Sequence, residues 1–296
     1  MSDRRRAIAL LLLLGLVWGT NWPLFPIVMR EISVWTFRSV SMTGAGLLLL
    51  ATARLRGQSL ALPRRHLKAV LLGAIVYLAL WNVASALAAV MIPSGQAAVL
   101  GFTMPVWAAL LAWALFGERL SGRQWLAVLL AGSGVGLLIW RGLDAYAQAP
   151  LGLALGLLAA VGWAAGTMII KRSGVDIPAT VLTGWQLLIA SVPVTLGAFV
   201  FGHGPWFMPS PLTLMVLAYI TMVPMGVGNV AWFAIVGLLP ANVAGLSSLL
   251  VPVVAMLSGT LIHGEPLGPL QLLAVGCCVA ALALGLPRPA RSARAA

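Results

Sequence analysis

Charge is what this sequence has least of. Only 8% of its 296 residues are Asp, Glu, Lys or Arg, and six are acidic; a soluble globular chain carries about 25% charged residues. So little charge excludes a water-covered surface. Cysteine is as scarce, and the two present, Cys277 and Cys278, are neighbours inside an apolar run. That excludes a disulfide framework and a thiolate metal site and leaves them as small packing residues. The three histidines, His66, His203 and His263, fall in loops or at helix ends, His66 on the other side of the membrane from the rest. They cannot share a metal or serve one nucleophile, so neither metal, cofactor nor enzyme chemistry is expected.

Apolar residues fill the space that charge leaves: they make up 61% of the chain, and the mean hydropathy is +1.03. A spanning helix needs ~20 apolar residues. The sequence offers ten such stretches, roughly 7–28, 34–53, 69–90, 95–115, 123–140, 151–170, 179–200, 212–234, 242–262 and 269–286. The first follows Arg4–Arg6 without a clear small-residue cleavage site, so it reads as a retained helix. Ten is even, and both termini then share one side. Placing them in the cytoplasm leaves only Arg30 and Arg141 in outer loops and Arg38 within the second helix; the other fifteen of eighteen Lys and Arg are inside. That bias orients the chain. It also accounts for the net charge of +12 without nucleic acid, the basic loop near 54–68 facing anionic lipid instead.

Shifted by 147 residues, the chain matches itself. Asn82-Val83-Ala84 falls on Asn229-Val230-Ala231, Pro93 on Pro240, Pro105-Val106 on Pro252-Val253, Gly117-Glu118 on Gly264-Glu265, and Gln124 on Gln271. At a slightly different offset Trp18 meets Trp163, and Arg38 pairs loosely with Gln186. Each copy holds five helices, an odd number, so the second enters the membrane inverted. The expected fold is an all-α integral membrane protein of ten transmembrane helices, built as two inverted five-helix repeats, 1–145 and 146–296. Inverted repeats let a site between two alike halves open to either side in turn.

This pattern resembles the EamA-type drug/metabolite transporters: two five-helix repeats, Trp18-Gly19 in the first helix, and Gly-Glu followed by Leu and Gln after helices 4 and 9. The resemblance is greatest to the branch that exports aromatic amino acids. It implies a bacterial-type inner-membrane protein that moves amino acids out of the cytoplasm through a central cavity.

The residues themselves point toward such a cavity. Trp35, Trp125, Trp140 and Trp206 suit the interfacial aromatic belt. Trp18, Trp81, Trp107 and Trp163 fall near helix midpoints, where an indole N–H wants a partner that hydrocarbon cannot give. Polar residues at helical spacing are candidates: Asn21 for Trp18, Thr103 for Trp107, Thr167 for Trp163, and a stripe of Tyr77, Trp81 and Ser85. With Trp185 and Gln186 they make a candidate lining for a flat, amphipathic ligand. Asn82 and Asn229 either bond a neighbouring helix or touch substrate. Pro23 and Pro26 interrupt helix 1 and suit a hinge or a static kink. Arg38 snorkels outward, guards an exit or binds a carboxylate. The Gly-x-x-x-Gly pairs at 15/19, 132/136, 152/156 and 162/166 suit close helix packing. Glu118 and Glu265 lie at helix ends, and no buried acid offers a proton relay.

These features favour zwitterionic or neutral amino acids as substrates, within a lipid bilayer; oligomeric state stays open. A phosphate-ester carrier would want Lys or Arg at helix midpoints, where none lies. An exporter of cationic drugs is the alternative, although helix 1 lacks the acid that would attract a cation.

Overall fold

In a bilayer a chain can satisfy its backbone only within itself, so each apolar stretch folds as helix. The computed structural model describes residues 3–92, 94–118, 120–202, 208–239, 250–263 and 268–285, and among them the regular structure is entirely helical. Eight helices are long and apolar enough to cross a membrane: α1 (Ile8–Met29), α2 (Val34–Leu55), α3 (Arg64–Met91), α4 (Ala97–Phe116), α5 (Gly122–Trp140), α6 (Pro150–Arg172), α7 (Ala179–Phe201) and α8 (Pro211–Leu238). The last two stretches also hold helix, α9 (Leu250–His263) over 14 residues and α10 (Pro269–Gly285) over 17. The sequence predicts ten spans, and these two fall short of the ~20 residues a bilayer needs. Residues 240–249, the start of the ninth predicted span, lie outside the described residues.

Three spans are not regular. In α1 the helix runs to Gly19, gives way to a 3-10 turn at Trp22–Leu24 and resumes at Phe25–Met29. The two prolines cause this. Pro23 starts the turn, Pro26 starts the short helix, and the Phe25 N–H picks up the Trp22 carbonyl. In α3 and α8 the interruptions are π-helical, at Ala74–Ala79 and Thr221–Gly228. Their first residues are 147 apart, the spacing of the sequence repeat. A π turn holds an extra residue and loosens nearby carbonyls. Asn82 and Asn229 each donate to the carbonyl four residues back, Leu78 at 2.8 Å and Met225 at 2.9 Å. The expected bond to a neighbouring helix is thus made within the asparagine's own helix.

Small residues decide which helices touch. Gly15 and Gly19 of α1 pack on Leu250 and Val254 of α9, and Gly228 of α8 packs on Trp18. In the same manner Gly156 of α6 packs on Leu100 of α4, and Gly162 and Gly166 pack on Val76, Leu80 and Tyr77 of α3. The pairs α2/α7 and α5/α10 cross antiparallel: Ser39 bonds Thr195 at 2.7 Å while Gly46 meets Gly184, and Arg123 reaches the Ala283 carbonyl at 3.2 Å. Gly136 departs from the expected close packing, because it faces open space among the described residues, and Gly132 meets only the Val106 side chain at 4.0 Å.

The Gly-Glu-x-Leu…Gln motif has a local explanation. Gly117 ends α4 in the left-handed region, φ 63°, where a side chain would be strained. Glu118 pairs with Arg172 at the end of α6, with both side chains exposed. Gln124 accepts from the Ser121 N–H at 2.9 Å, and Ser121 caps α5 in return. The motif stops one helix and starts the next.

The ends of the bundle differ in character. One gathers Arg54, Arg56, Arg64, Arg65, Lys171 and Arg172 and is here called the basic end. At the far end Glu31, between α1 and α2, accepts from the Ser210 hydroxyl at 2.6 Å and the Ser210 N–H at 2.8 Å. The hydroxyl bond first, and then the backbone bond, hold the Glu31 carboxyl below its ordinary value of 4.5. A lowered carboxyl contributes stability that is present above the ordinary value and lost as pH falls through the native one. The melting difference between wild type and Glu31→Gln should therefore be flat from pH 8 to 5 and should shrink only below about 4.5. A difference that already shrinks above pH 6 would contradict this contact.

Candidate functional site

The middle of the bundle is an aromatic cluster built around one ring. Trp163 of α6 is 1% exposed. It lies 5.4 Å from Trp18, 5.1 Å from Trp232 and 4.7 Å from Trp81, all at steep angles, and stacks on Tyr77 at 5.8 Å and 7°. Four helices place these rings. Glycines opposite them make room: Gly166 under Tyr77, Gly101 under Trp81 and Gly228 under Trp18. Each ring pair adds about 0.5–1.5 kcal/mol to its burial.

A cavity lies against this cluster. Its lower wall is Trp18, Tyr77, Trp81 and Trp163, with Asn82 and Ser85 from α3 and Asn229 and Met225 from α8. Its far side is a second aromatic group, Trp22, Phe25 and Phe102, with ring separations of 5.3 Å for Trp22–Phe25 and 6.1 Å for Trp22–Phe102. The free space is about 40 Å³, enough for a few waters at ~10–15 Å³ each. Nine of the fifteen residues predicted from sequence for the site and its gate meet here: Trp18, Asn21, Arg38, Tyr77, Trp81, Asn82, Ser85, Trp163 and Asn229.

The others lie elsewhere. Trp107 bonds Thr103 of its own helix at 3.0 Å, the partner its spacing predicts, but stays outside the lining. Trp185 donates to the Leu60 carbonyl at 2.9 Å, because it sits a turn or two from the basic end. Thr167 and Gln186 are fully buried outside the lining, and the Gln186 amide makes no hydrogen bond among the described residues. Pro23 is buried in its turn; the side chain of Pro26 is outside what the structure describes. The two predicted indole partners at i+3 and i+4 are also wrong. The Trp18 N–H donates across helices to the Pro224 carbonyl at 3.0 Å, which the π segment of α8 presents, and the Trp163 N–H has no acceptor among the described residues. Helical spacing brings side chains to one face but cannot anticipate a carbonyl loosened on another helix.

Sequence reasoning passed over Trp22, Phe25, Phe102 and Trp232. Trp232 lies three residues after Asn229, hence on the same face, which is the signal that could have found it.

Arg38 departs most from expectation. It does not snorkel: it is 2% exposed, with its guanidinium 4.5 Å above the Phe25 ring and 4.7 Å from the Phe37 ring. A basic side chain thus does reach the cavity. In the lining, the Asn21 carbonyl oxygen is buried without a donor among the described residues.

Comparison with known proteins places this arrangement among transporters. The profile of the EamA-like transporter family matches residues 5–140 and again 150–286. The transporter YvbV of Bacillus subtilis is 26% identical over 92% of this chain and 88% of its own length. The inner membrane transporter YedA of Escherichia coli is 27% identical over 92% of this chain and 87% of its own. The threonine/homoserine exporter RhtA of Escherichia coli is 34% identical over 64% of this chain and 61% of its own. A solved crystal structure superposes with a TM-score of 0.77 at 19% identity, covering 95% of this chain and 97% of that one, and shows the fold alone.

Proposed function

The chain belongs to the EamA-like transporter family, and from that premise we propose that it exports amino acids, aromatic and other neutral ones, from the cytoplasm by alternating access. The observation that carries the substrate class is the central cavity, where clustered indoles meet one guanidinium and one carboxamide oxygen that has no donor among the described residues. An aromatic amino acid has a flat apolar part for the rings and a charged backbone for the polar groups. The 34% identity to a threonine/homoserine exporter supports the amino-acid reading, and the aromatic walls favour a broader range than threonine. The buried cation weighs against the cationic-drug alternative, since like charges in a dry site repel.

Alternating access rests on the repeat. Two matched family segments, π segments 147 residues apart, and α1 packed on α8 and α9 as α6 is on α3 and α4 all support ten helices in two inverted halves. The basic end is then cytoplasmic by the excess of Lys and Arg. Reporters fused after residues 60 and 296 should read cytoplasmic and those after 145 and 206 external; an external C-terminus would sink the inverted arrangement.

Coupling to protons lacks a group to carry it. Among the described residues no Asp or Glu lies in the middle of a span: Glu31 and Glu118 sit beyond helix ends. Purified protein in liposomes should move labelled Phe and Trp down their own gradients, with or without a pH difference. Flux of a quaternary ammonium without flux of any amino acid would overturn the export reading, and uphill Phe movement driven by pH alone would overturn the absence of coupling.

A further inference from the structure

Resting on that reading, we propose that Arg38 anchors the substrate's carboxylate, so that the site selects for a carboxylate and not merely for an aromatic ring. The argument begins with an unbalanced charge. A guanidinium stays protonated at neutral pH and offers five donors in a planar fork matched to a carboxylate. A buried charge is stable only when it is paired and hydrogen-bonded. Arg38 has neither among the described residues: its Nε is buried without an acceptor, and the side chain makes no ion pair, only the contacts to Phe25 and Phe37.

No acid among the described residues serves. Glu31 is bound to Ser210 and Glu118 to Arg172, and the remaining described acids, Asp3, Asp144 and Asp176, lie at helix ends or in loops. Yet Arg38 lines the same cavity as Asn21, whose carbonyl oxygen lacks a donor among the described residues. A zwitterion satisfies both: its carboxylate accepts from Arg38, and its ammonium donates to Asn21. One buried cation also suits a single negative charge better than a phosphate ester carrying two.

The anchor is tested by competition against labelled Phe in liposomes containing the full chain, with tryptophan fluorescence following binding to the same protein in detergent. The probes are phenylalanine, 3-phenylpropanoate, phenylalaninamide and phenethylamine. Wild type should bind the two carboxylates and discriminate at least tenfold against the two compounds that lack one. In Arg38→Gln, binding of both carboxylates should weaken tenfold or more, while that of the amide and amine should hold or improve. Arg38→Lys keeps the charge without the fork; it should show an intermediate loss confined to carboxylates, and it serves where Arg38→Gln does not fold. Unchanged discrimination in a folded Arg38 variant would overturn the anchor and leave amino-acid export standing. Wild type that binds carboxylates yet carries no amino acid would overturn export and leave the anchor. Wild type that prefers phenethylamine would overturn both.

Discussion

Trp163→Ala should abolish measurable Phe and Trp transport and lower stability by about 3–5 kcal/mol, the range for emptying a large buried ring. Trp163 touches Trp18, Tyr77, Trp81, Phe102 and Trp232 at once, so its removal frees five rings. Because Trp163→Ala costs both fold and function, Trp163→Phe is the sharper measurement. The Trp163 N–H has no acceptor among the described residues, so the smaller ring forfeits no hydrogen bond seen there, and stability should drop by only about 1–3 kcal/mol. Transport should still fall at least tenfold, since the cavity wall changes shape. A Trp163→Phe protein that melts lower but transports Phe and Trp at the wild-type rate would return the cluster to simple packing.

Gly162→Ala should be nearly as damaging, for a different reason. A Cβ there would lie 2.6 Å from the Val76 carbonyl oxygen and 2.6 Å from Leu80. A backbone oxygen cannot turn aside, so α6 must back away from α3, at a cost of about 1–3 kcal/mol or more. Trp163 and Tyr77 are the next residues along on either side of that crossing and would separate with it. Gly136→Ala should act in the opposite direction. Nothing among the described residues lies within 4 Å of its Cβ, so the change should add about 0.4–1 kcal/mol by restricting the unfolded chain. Melting temperatures of the two purified variants should move in opposite directions from wild type, and a shift of the same sign in both would refute the assignment of one glycine to a contact and the other to open space.

Those two glycines also mark what the sequence could and could not disclose. Both sit in Gly-x-x-x-Gly pairs, and pattern alone cannot tell a stripe that meets a neighbour from one that does not. Helix placement was legible because hydropathy runs and the absence of charge leave a membrane chain few options. The 147-residue offset is visible in the sequence itself, where Asn82/Asn229 and Gly117/Gly264 stay in register without a gap, and the loop around Gly264 lies outside the described residues. At the site, mid-helix Trp and Asn residues were found by depth, as Trp18, Trp81 and Trp163 show. Depth misplaced Trp107, because it says nothing about which way a side chain faces. Arg38 was misjudged for a related reason: four residues inside a helix start, a long cation can point toward water or inward. The choice is made by Phe25 and Phe37, and Phe25 comes from a segment bent inward by Pro23 and Pro26. Only the folded chain brings those together.

The small size of the cavity has a bearing on speed and selectivity. A space of about 40 Å³ admits water but no amino-acid ring, so an arriving substrate must displace side chains and not merely solvent. The protein then resembles a turnstile that turns under load more than a cup that fills. Larger substrates gain more ring contact and also demand more rearrangement, and the two trends oppose each other. Apparent affinity is the intrinsic affinity reduced by the fraction of molecules already open, so a cavity that must widen lowers the affinity observed for every substrate that needs the extra room.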